Sequence, residues 1–186
     1  NKLSKYKFFS TYDLKSAYHQ IPLHESERKY TAFECLGDLY EFVVVPFGVT
    51  NGVPCFQRIM DDLVKEEHLQ NTFPYLDNVT IGGLDECDLQ KNDIAFEEMI
   101  AKRNITLNNT KTIQCSSVIN ILGYQISYNT IKPDPERLQP LLNFPPPSTA
   151  ASLRRTLGMF AYYAKWILQF SDKIQPLAEN ETFPLN

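Results

Sequence analysis

Two aspartates of this sequence, Asp13 and Asp77, occupy positions at which a carboxylate could do chemistry. Asp77 lies within Phe73–Ile81, where an apolar residue, a carboxylate and an amide stand between β-prone residues. This pattern predicts a β-hairpin whose tight turn carries Asp77 and Asn78 at its tip. Asp13 stands at the end of an aromatic and β-branched run that begins at Phe8. That run predicts a buried strand with the carboxylate at its C-terminal end.

Two carboxylates brought together by strand pairing would make a site for Mg²⁺. Magnesium prefers hard oxygen ligands and is commonly held by one or two carboxylates together with waters and substrate phosphates. Two such ions about 4 Å apart can activate an attacking hydroxyl and stabilise the leaving oxygen in phosphoryl transfer. Aspartate and asparagine are also favoured in turns for their backbone geometry alone. The pattern by itself leaves both interpretations of Asp13 and Asp77 open.

The backbone after Asp13 offers a second chemical feature. Lys15–Ile21 is too short for an independent helix and is followed by Pro22, which disfavours helical backbone in the residue before it. We therefore predict a single helical turn. Backbone amides at such a turn are available to bind an anion.

The remaining pattern supplies the elements that must position these residues. Pairs of short β-prone runs predict two hairpins, the second of which could also be one strand kinked at Gly123. Apolar residues at helical spacing predict helices from Pro54, from about Glu86 to Arg103 and from Thr149 to Leu168, with Ser148 or Thr149 as N-cap. The four runs of the hairpins are Tyr30–Glu34 with Leu39–Val45, and Val118–Leu122 with Tyr124–Tyr128.

Strands that return between long helices favour an α+β fold, with an antiparallel sheet backed by helices, over a doubly wound parallel sheet. The composition changes near residue 131, where five of the twelve prolines begin to frame a short helix from Glu136 to Leu142. We therefore predict two domains, residues 1–131 and 132–186.

Composition narrows the class of protein. A content of 43% hydrophobic and 22% charged residues in a chain of 186 is ordinary for a globular protein. The net charge of −4 argues against a surface that binds nucleic acid throughout, so any such binding must be local. No apolar run approaches the roughly 20 residues that span a bilayer, and we expect an intracellular protein, cytoplasmic or nuclear, with no membrane partner.

The four cysteines are scattered and form no CxxC pair, which indicates neither a disulfide framework nor a zinc site. We predict that they are reduced thiols in the core. They are Cys35, Cys55, Cys87 and Cys115.

Six motifs follow one another in a set order: Phe9–Ile21, Val45–Gly52, Phe56–Arg58, Tyr75–Asn78, Leu122–Tyr124 and Ile131–Pro135. From about Phe8 to Leu177, their order and spacing closely resemble the reverse transcriptase of gypsy-type LTR retrotransposons. The resemblance implies a palm with the C-terminal part of the fingers, at about residues 22–52, within residues 1–131. It also implies a helical thumb over residues 132–186, whose core would hold Leu153, Leu157, Phe160 and Tyr163.

The resemblance also assigns roles to individual residues. Asp13 would bind both metal ions and Asp77 would join it, with Asn78 beside them in the catalytic hairpin. The nucleotide would be bound by Leu14, Lys15, Ser16, Ala17, Tyr18 and Phe47. Its triphosphate would lie against the backbone of Lys15–Ala17. Tyr18 would stack under the sugar and exclude a ribose 2′-hydroxyl, and Phe47 would line the pocket. The primer end would be held by Leu122, Gly123 and Tyr124.

Two departures from the family pattern bear on activity. The family normally carries a second aspartate where this chain has Asn78, and the exchange removes one negative charge from a site for two dications. At short range that loss amounts to several kcal/mol. The chain also begins just before the first catalytic strand, so the N-terminal fingers, and any RNase H region, are expected to lie outside it.

Two functions therefore remain from the sequence, and whether the domain is an active enzyme stays open. The first is an RNA-directed DNA polymerase that uses Mg²⁺, or Mn²⁺ in its place, with an RNA or DNA template, a DNA primer and dNTPs. The second is a catalytically silent, repurposed module that binds nucleic acid, a protein partner or the rest of a polyprotein.

Overall fold

The computed structural model describes residues 2–178. These residues divide into two compact units, one formed by residues 2–119 with 127–129 and the other by 120–126 with 130–178. The strands are β1 (Phe8–Asp13), β2 (Phe33–Cys35), β3 (Asp38–Tyr40), β4 (Thr72–Tyr75), β5 (Asn78–Gly83), β6 (Ile113–Ser116), β7 (Val118–Ile121), β8 (Tyr124–Ser127) and β9 (Thr130–Pro133). The α-helices are α1 (Glu25–Arg28), α2 (Gly52–Glu66), α3 (Glu86–Lys102), α4 (Pro135–Leu142), α5 (Ala150–Ala161) and α6 (Phe170–Ala178).

A four-stranded sheet, in the order β4-β5-β1-β6, forms the centre of the first unit. Its neighbouring strands pair antiparallel. Strand β1 has a partner on each side, and its successive residues Phe9 and Ser10 are both fully buried although they point to opposite faces. The predicted strand with Asp13 at its end is confirmed, as is the α+β class with an antiparallel sheet.

Helices α2 and α3 supply the apolar side chains that cover the sheet. Phe56 and Met60 of α2 and Phe96 and Met99 of α3 are buried in one cluster with the strand residue Tyr12. The cap of α3 is the side chain of Asp85, which accepts a hydrogen bond from the Asp88 amide at 2.8 Å. Both helices are confirmed, but α2 begins at Gly52, because Pro54 is tolerated in the first turn of a helix.

The first predicted hairpin is only partly right, since β2 and β3 have three residues each and all six are exposed. Tyr30 lies in a 3₁₀ turn, Lys29–Thr31, instead of a strand. Strand β3 ends at Tyr40 and does not continue to Val45 as predicted, because the backbone at Val43 and Val45 forms hydrogen bonds with a different segment. Leu23 donates its amide to the Val43 carbonyl at 2.9 Å, and Val45 donates to the Ile21 carbonyl at 3.0 Å.

The second unit contains most of a three-stranded sheet, in the order β7-β8-β9, and the helices that follow it. The second hairpin is confirmed as two strands joined at Leu122-Gly123 instead of one kinked strand. Thr149 caps α5 through a reciprocal pair of hydrogen bonds with Ser152, as the N-cap prediction required.

Helix α5 ends at Ala161 and not near Leu168 as predicted. Bonds of the i+3 type replace the α-helical ladder there, with Trp166 donating its amide to the Tyr163 carbonyl at 3.0 Å. The Trp166 indole donates to the carbonyl of Ile131 at 3.1 Å, a tertiary bond that helical spacing does not reveal. Of the predicted thumb core, Leu153 is buried and Leu157, Phe160 and Tyr163 are half-buried.

The cysteines are free but all four are exposed, so the prediction of core thiols was wrong. They occupy the end of β2, the first turns of α2 and α3 and the edge strand β6. No helix within residues 2–178 is long and apolar enough to cross a membrane.

Candidate active site

Strand pairing brings the two predicted carboxylates together where the central strand β1 ends and the neighbouring strand β5 begins. In the antiparallel register of β1 and β5, Asp13 lies directly opposite Asn78. The Leu14 amide then donates to the Asp77 carbonyl at 2.7 Å, which joins the end of β1 to the hairpin turn. Asp13 and Asp77 are therefore neighbours although 64 residues of sequence separate them, as their numbers show.

The hairpin turn itself consists of Leu76 and Asp77. Leu76 has a positive φ of 53°, and its amide donates to the side-chain oxygen of Gln57 at 2.8 Å. Gln57 also donates to the carbonyl of Pro74 at 3.0 Å, so α2 holds the turn from outside the sheet. Asn78 was predicted at the tip but is the first residue of β5, because it pairs with Tyr75 across the hairpin.

The Asn78 side chain touches the predicted metal ligand beside it. Its amide nitrogen donates to Asp77 Oδ1 at 3.3 Å. A carboxylate at the same position would have no hydrogen to donate and would add a second negative charge. The exchange therefore alters both the hydrogen bonding and the charge of Asp77's surroundings.

Asp13 is nearly enclosed, with a side chain that is 12% exposed. Asn108 donates its side-chain amide to Asp13 Oδ1 at 3.0 Å, and the Lys111 ammonium lies 3.4 Å from Oδ2. Neither residue was predicted from the sequence. They reach Asp13 through the segment after α3, in which Leu107 forms a β-bridge with Leu14, the residue that follows β1. A single long-range bridge has no periodic signal in the sequence.

The predicted turn after β1 is confirmed as a 3₁₀ helix at Ala17–Gln20. Ser16 precedes it in the left-handed conformation, with φ 49° and ψ 47°, which is uncommon for a residue other than glycine. A cavity of about 290 Å³ opens beside this turn. Its wall contains Asp13, Leu14, Lys15, Ser16, Ala17, Tyr18, Phe47, Asp77, Asn108 and Lys111.

Aromatic contacts fix one side of this cavity. The ring of Tyr18 lies 5.4 Å from that of Phe47 in an edge-to-face arrangement and 5.3 Å from that of Phe56. Phe56 is buried, whereas Phe47 is 66% exposed. Tyr18 is thus held from the core side by α2 while Phe47 stands at the opening.

The residues present fit a magnesium site. Asp13 and Asp77 offer the hard carboxylate oxygens that Mg²⁺ prefers, and both line the same cavity. Within residues 2–178, no cluster of three or more His, Cys, Asp or Glu side chains could hold a metal ion. An ion bound by this pair would therefore complete its coordination with water and substrate oxygens, which is common for Mg²⁺.

The residues predicted to hold the primer end belong to the second unit. Leu122 and Gly123 form the β7–β8 turn, with φ values of 52° and 81°, and Tyr124 opens β8. A Cβ on Gly123 would lie 2.9 Å from the Arg137 guanidinium. The positive φ favours glycine at this position, and a larger residue would also require the Arg137 side chain to shift.

Tyr124 is tied to an aromatic cluster in the same unit. Its hydroxyl lies 3.2 Å from that of Tyr162, and Lys165 donates to it at 3.4 Å. The hydrogen bond from Tyr162, together with that from Lys165, lowers the pKa of Tyr124. The same hydrogen bond between the two tyrosines raises the pKa of Tyr162. Lys165 also lies over the ring of Trp166, 4.1 Å from its centroid.

Comparison with known proteins decides the family. Residues 1–126 match the family described as reverse transcriptase (RNA-dependent DNA polymerase), which covers more than half of the chain. The chain belongs to the reverse transcriptase family. The prediction that rested on six motifs is thereby confirmed.

This reverse transcriptase domain is similar to retrovirus-related Pol polyproteins of Drosophila melanogaster. It is 34% identical over 175 residues to that of transposon opus and 33% identical over 177 residues to that of transposon gypsy. These matches cover 94% and 95% of the chain. The chain spans only about 17% of the length of either relative.

Solved structures show that the reverse transcriptase domain shares its fold with the foamy viral protease-reverse transcriptase. The foamy viral protease-reverse transcriptase dRH in complex with dsDNA superposes with a TM-score of 0.79 at 22% identity, over 94% of this chain and 31% of that one. The same viral protein in complex with an RNA/DNA hybrid gives 0.74 at 21% identity, over 94% and 24%. At these identities the likeness concerns the fold.

Proposed function

We propose that this reverse transcriptase domain adds deoxynucleotides to a primer 3′-hydroxyl under the direction of an RNA or DNA template. One observation carries the proposal: Asp13, Asp77 and the left-handed turn at Lys15–Ala17 line a single cavity of about 290 Å³. Carboxylate oxygens suit a divalent cation, and backbone amides at such a turn suit a phosphate. A nucleoside triphosphate with its metal ion needs both in one place.

Asp13 and Asp77 would hold the Mg²⁺, or Mn²⁺ in its place. When bound, these ions would supply an activated hydroxyl and a stabilised leaving oxygen. Asn108 and Lys111 hold the Asp13 carboxylate by contacts to its two oxygens, which fixes its orientation before any ligand enters. Lys15 and Lys111, on the cavity wall, supply positive charge against the triphosphate.

The aromatic side of the cavity would select the sugar. Tyr18 is braced by Phe56 behind it and Phe47 beside it, so its ring has little freedom to move aside. In the proposed function Tyr18 stacks under a deoxyribose and excludes a 2′-hydroxyl, while Phe47 lines the nucleotide pocket. Leu14, Ser16 and Ala17 contribute the remaining wall.

The proposal extends to partners and to the roles of the two domains. Related viral proteins are solved with dsDNA and with an RNA/DNA hybrid, which supports a template–primer duplex as the partner here. Residues 1–131 would act as palm and fingers and residues 132–186 as thumb, with Leu122, Gly123 and Tyr124 at the primer end. The domain would act within a polyprotein inside the cell, in cytoplasm or nucleus, where nucleotides and templates are found.

Asn78 supports a second candidate, a catalytically silent module that binds nucleic acid or protein. The amide donates to Asp77 Oδ1 and brings no negative charge of its own. With Lys111 also beside Asp13, the site attracts dications less strongly than one with three carboxylates. A silent module would keep the fold and the duplex-binding surface without the reaction.

Primer extension separates the two. We would measure incorporation on an RNA template with Mg²⁺ and with Mn²⁺, comparing the unmodified chain with Asn78→Asp and with Asp13→Asn, an isosteric change. The enzymatic proposal expects Asn78→Asp to extend the primer at least about tenfold faster than the parent and Asp13→Asn to be inactive. Duplex binding without extension by both the parent and Asn78→Asp would establish the silent module. Extension by Asp13→Asn at the parent rate would refute the assigned metal ligand.

A further inference from the structure

The side chain of Gln20 joins two segments that the sheet does not connect. Its amide nitrogen donates to the carbonyl of Lys15 at 2.5 Å and to that of Thr106 at 3.0 Å. Its carbonyl oxygen accepts from the Thr106 amide at 2.7 Å. The Lys15 amide also donates to the Thr106 carbonyl, at 3.0 Å. One glutamine therefore fixes the start of the phosphate-binding turn against the segment after α3.

The turn needs such a restraint because its backbone is strained. Ser16 has a left-handed conformation that costs about 1 kcal/mol in a residue with a Cβ. Strained residues persist only where the surroundings over-determine them. Ala17 is buried on one side of Ser16, and on the other side the Lys15 carbonyl is held by Gln20. Because the Lys15 amide already donates to the Thr106 carbonyl, the amides that would meet the triphosphate are those of Ser16 and Ala17, and their orientation depends on both anchors.

We infer that Gln20 is a positioning residue that sets the Lys15–Ala17 backbone for the nucleotide triphosphate. It does not line the cavity that contains Asp13 and acts only through the backbone that does. The inference rests on the proposed function, because it concerns the nucleotide of that same site. Removal of the Gln20 side-chain amide takes this hydrogen-bond partner from the carbonyls of Lys15 and Thr106 and from the Thr106 amide. The turn then loses its restraint at the atoms next to the phosphates.

Gln20→Met removes all three hydrogen bonds at similar volume, and Gln70→Met is the matched control. Gln70 also lies in the first unit, but it donates only to the nearby carbonyl of His68. For Gln20→Met we expect KM for dTTP to rise about tenfold, with kcat and duplex affinity changed less than about twofold. Unfolding of part of the enzyme would lower kcat and leave KM unchanged, so the split between the two constants excludes a merely structural role.

Gln20→Glu adds a pH-dependent signature. The introduced carboxylate can still accept from the Thr106 amide, but it repels the carbonyls of Lys15 and Thr106. Protonation restores one donor. We therefore expect the ratio of KM values, variant over parent, to fall as the pH is lowered for Gln20→Glu and to stay constant for Gln20→Met. A pH-independent ratio for both variants overturns the role of the donor.

Two direct measurements keep the inference separate from the proposed function. The first is equilibrium binding of dTTP with Mg²⁺ to a duplex whose primer ends in a dideoxynucleotide. The second is hydrogen exchange at the amides of Lys15 and Thr106, which should be at least about tenfold faster in Gln20→Met. Absence of dTTP binding by both the parent and Asn78→Asp overturns the proposed function. Binding by these proteins with an unchanged dissociation constant for dTTP in Gln20→Met overturns only the role of Gln20.

Discussion

The Lys111 ammonium lies 3.4 Å from Asp13 Oδ2, next to the carboxylate that would bind metal. The Asp13 side chain is 12% exposed, whereas that of Lys111 is 65% exposed. The lysine is therefore free to move away when a cation arrives, but until then it occupies one carboxylate oxygen. Its charge opposes that of a dication at the same atom.

Removal of this charge should tighten metal binding. For Lys111→Met we expect the Mg²⁺ dissociation constant in the absence of nucleotide to fall about three- to tenfold, a modest effect because the lysine is largely solvated. Isothermal titration of Mg²⁺ into the parent and the variant measures it. Lys65→Met is the control, since Lys65 pairs with Asp62 on an exposed helix face. Weaker Mg²⁺ binding in Lys111→Met would show that the lysine assists the site.

Asn78→Asp should destabilise the metal-free protein. The new carboxylate would stand opposite Asp13 in the strand register and beside Asp77, and like charges at such positions oppose pairing. We expect the free energy of unfolding in EDTA to fall by about 1 kcal/mol. Added Mg²⁺ should restore more stability to the variant than to the parent, as thermal unfolding with and without the ion will show. Asn129→Asp, at an exposed turn, should respond to neither condition.

Asp93 on α3 should make stability depend on pH. Burial raises the pKa of its carboxyl, although Ser10 donates a hydrogen bond to it at 2.7 Å. The folded protein thus holds the proton more tightly than the unfolded chain. The free energy of unfolding therefore falls as the pH rises from the unfolded carboxyl pKa, about 4, through the higher folded value.

Asp93→Asn removes this penalty. The free energy of unfolding of the variant should exceed that of the parent by little at acidic pH and by more as the pH rises toward 7. Urea unfolding at a series of pH values will measure this difference. Asp62→Asn, at an exposed site that pairs with Lys65, is the control variant. A constant difference between Asp93→Asn and the parent across the series would contradict the burial of a charged carboxylate.

Tyr162→Phe should raise the pKa of Tyr124. The hydroxyl of Tyr162 is the main cause that lowers it, and phenylalanine cannot donate. The titration of ¹³C-labelled tyrosine followed by NMR will resolve the Tyr124 signal, which we assign with Tyr124→Phe. Tyr128→Phe, at an exposed tyrosine that contacts Lys7, is the matched control. An unchanged Tyr124 titration in Tyr162→Phe would leave Lys165 as the effective partner.

The sequence was sufficient to predict the strand that ends at Asp13, the hairpin that carries Asp77 and the helices α2 and α3. Each has a local signal: β-prone runs, a turn or helical spacing. The Thr149 cap was predictable for the same reason, because a cap and its partner lie within one turn. The order and spacing of the six motifs also predicted the reverse transcriptase family, whose model matches residues 1–126.

What the sequence did not predict depends on distant partners. Asn108 and Lys111 contact Asp13 from 95 and 98 residues away, and Gln20 reaches Thr106 across 86. The short strands β2 and β3 and the early end of α5 likewise follow from bonds to other segments, at Ile21 and at Ile131. No pattern within a window of ten or twenty residues contains those contacts.

The central place of β1 has a consequence for how the chain acquires its structure during synthesis. Strand β1 is made before both of its neighbours, which are β5, beginning at Asn78, and β6, ending at Ser116. At about 5–20 residues per second, a ribosome needs roughly 5 to 20 seconds to synthesise the residues between Asp13 and Ser116. The aromatic strand Phe8–Asp13 lacks both partners until β5 is complete at Gly83, and it lacks one of them until β6 is complete at Ser116. Such non-local pairing also folds slowly. The nascent chain should depend on chaperones until the last strand of this sheet emerges.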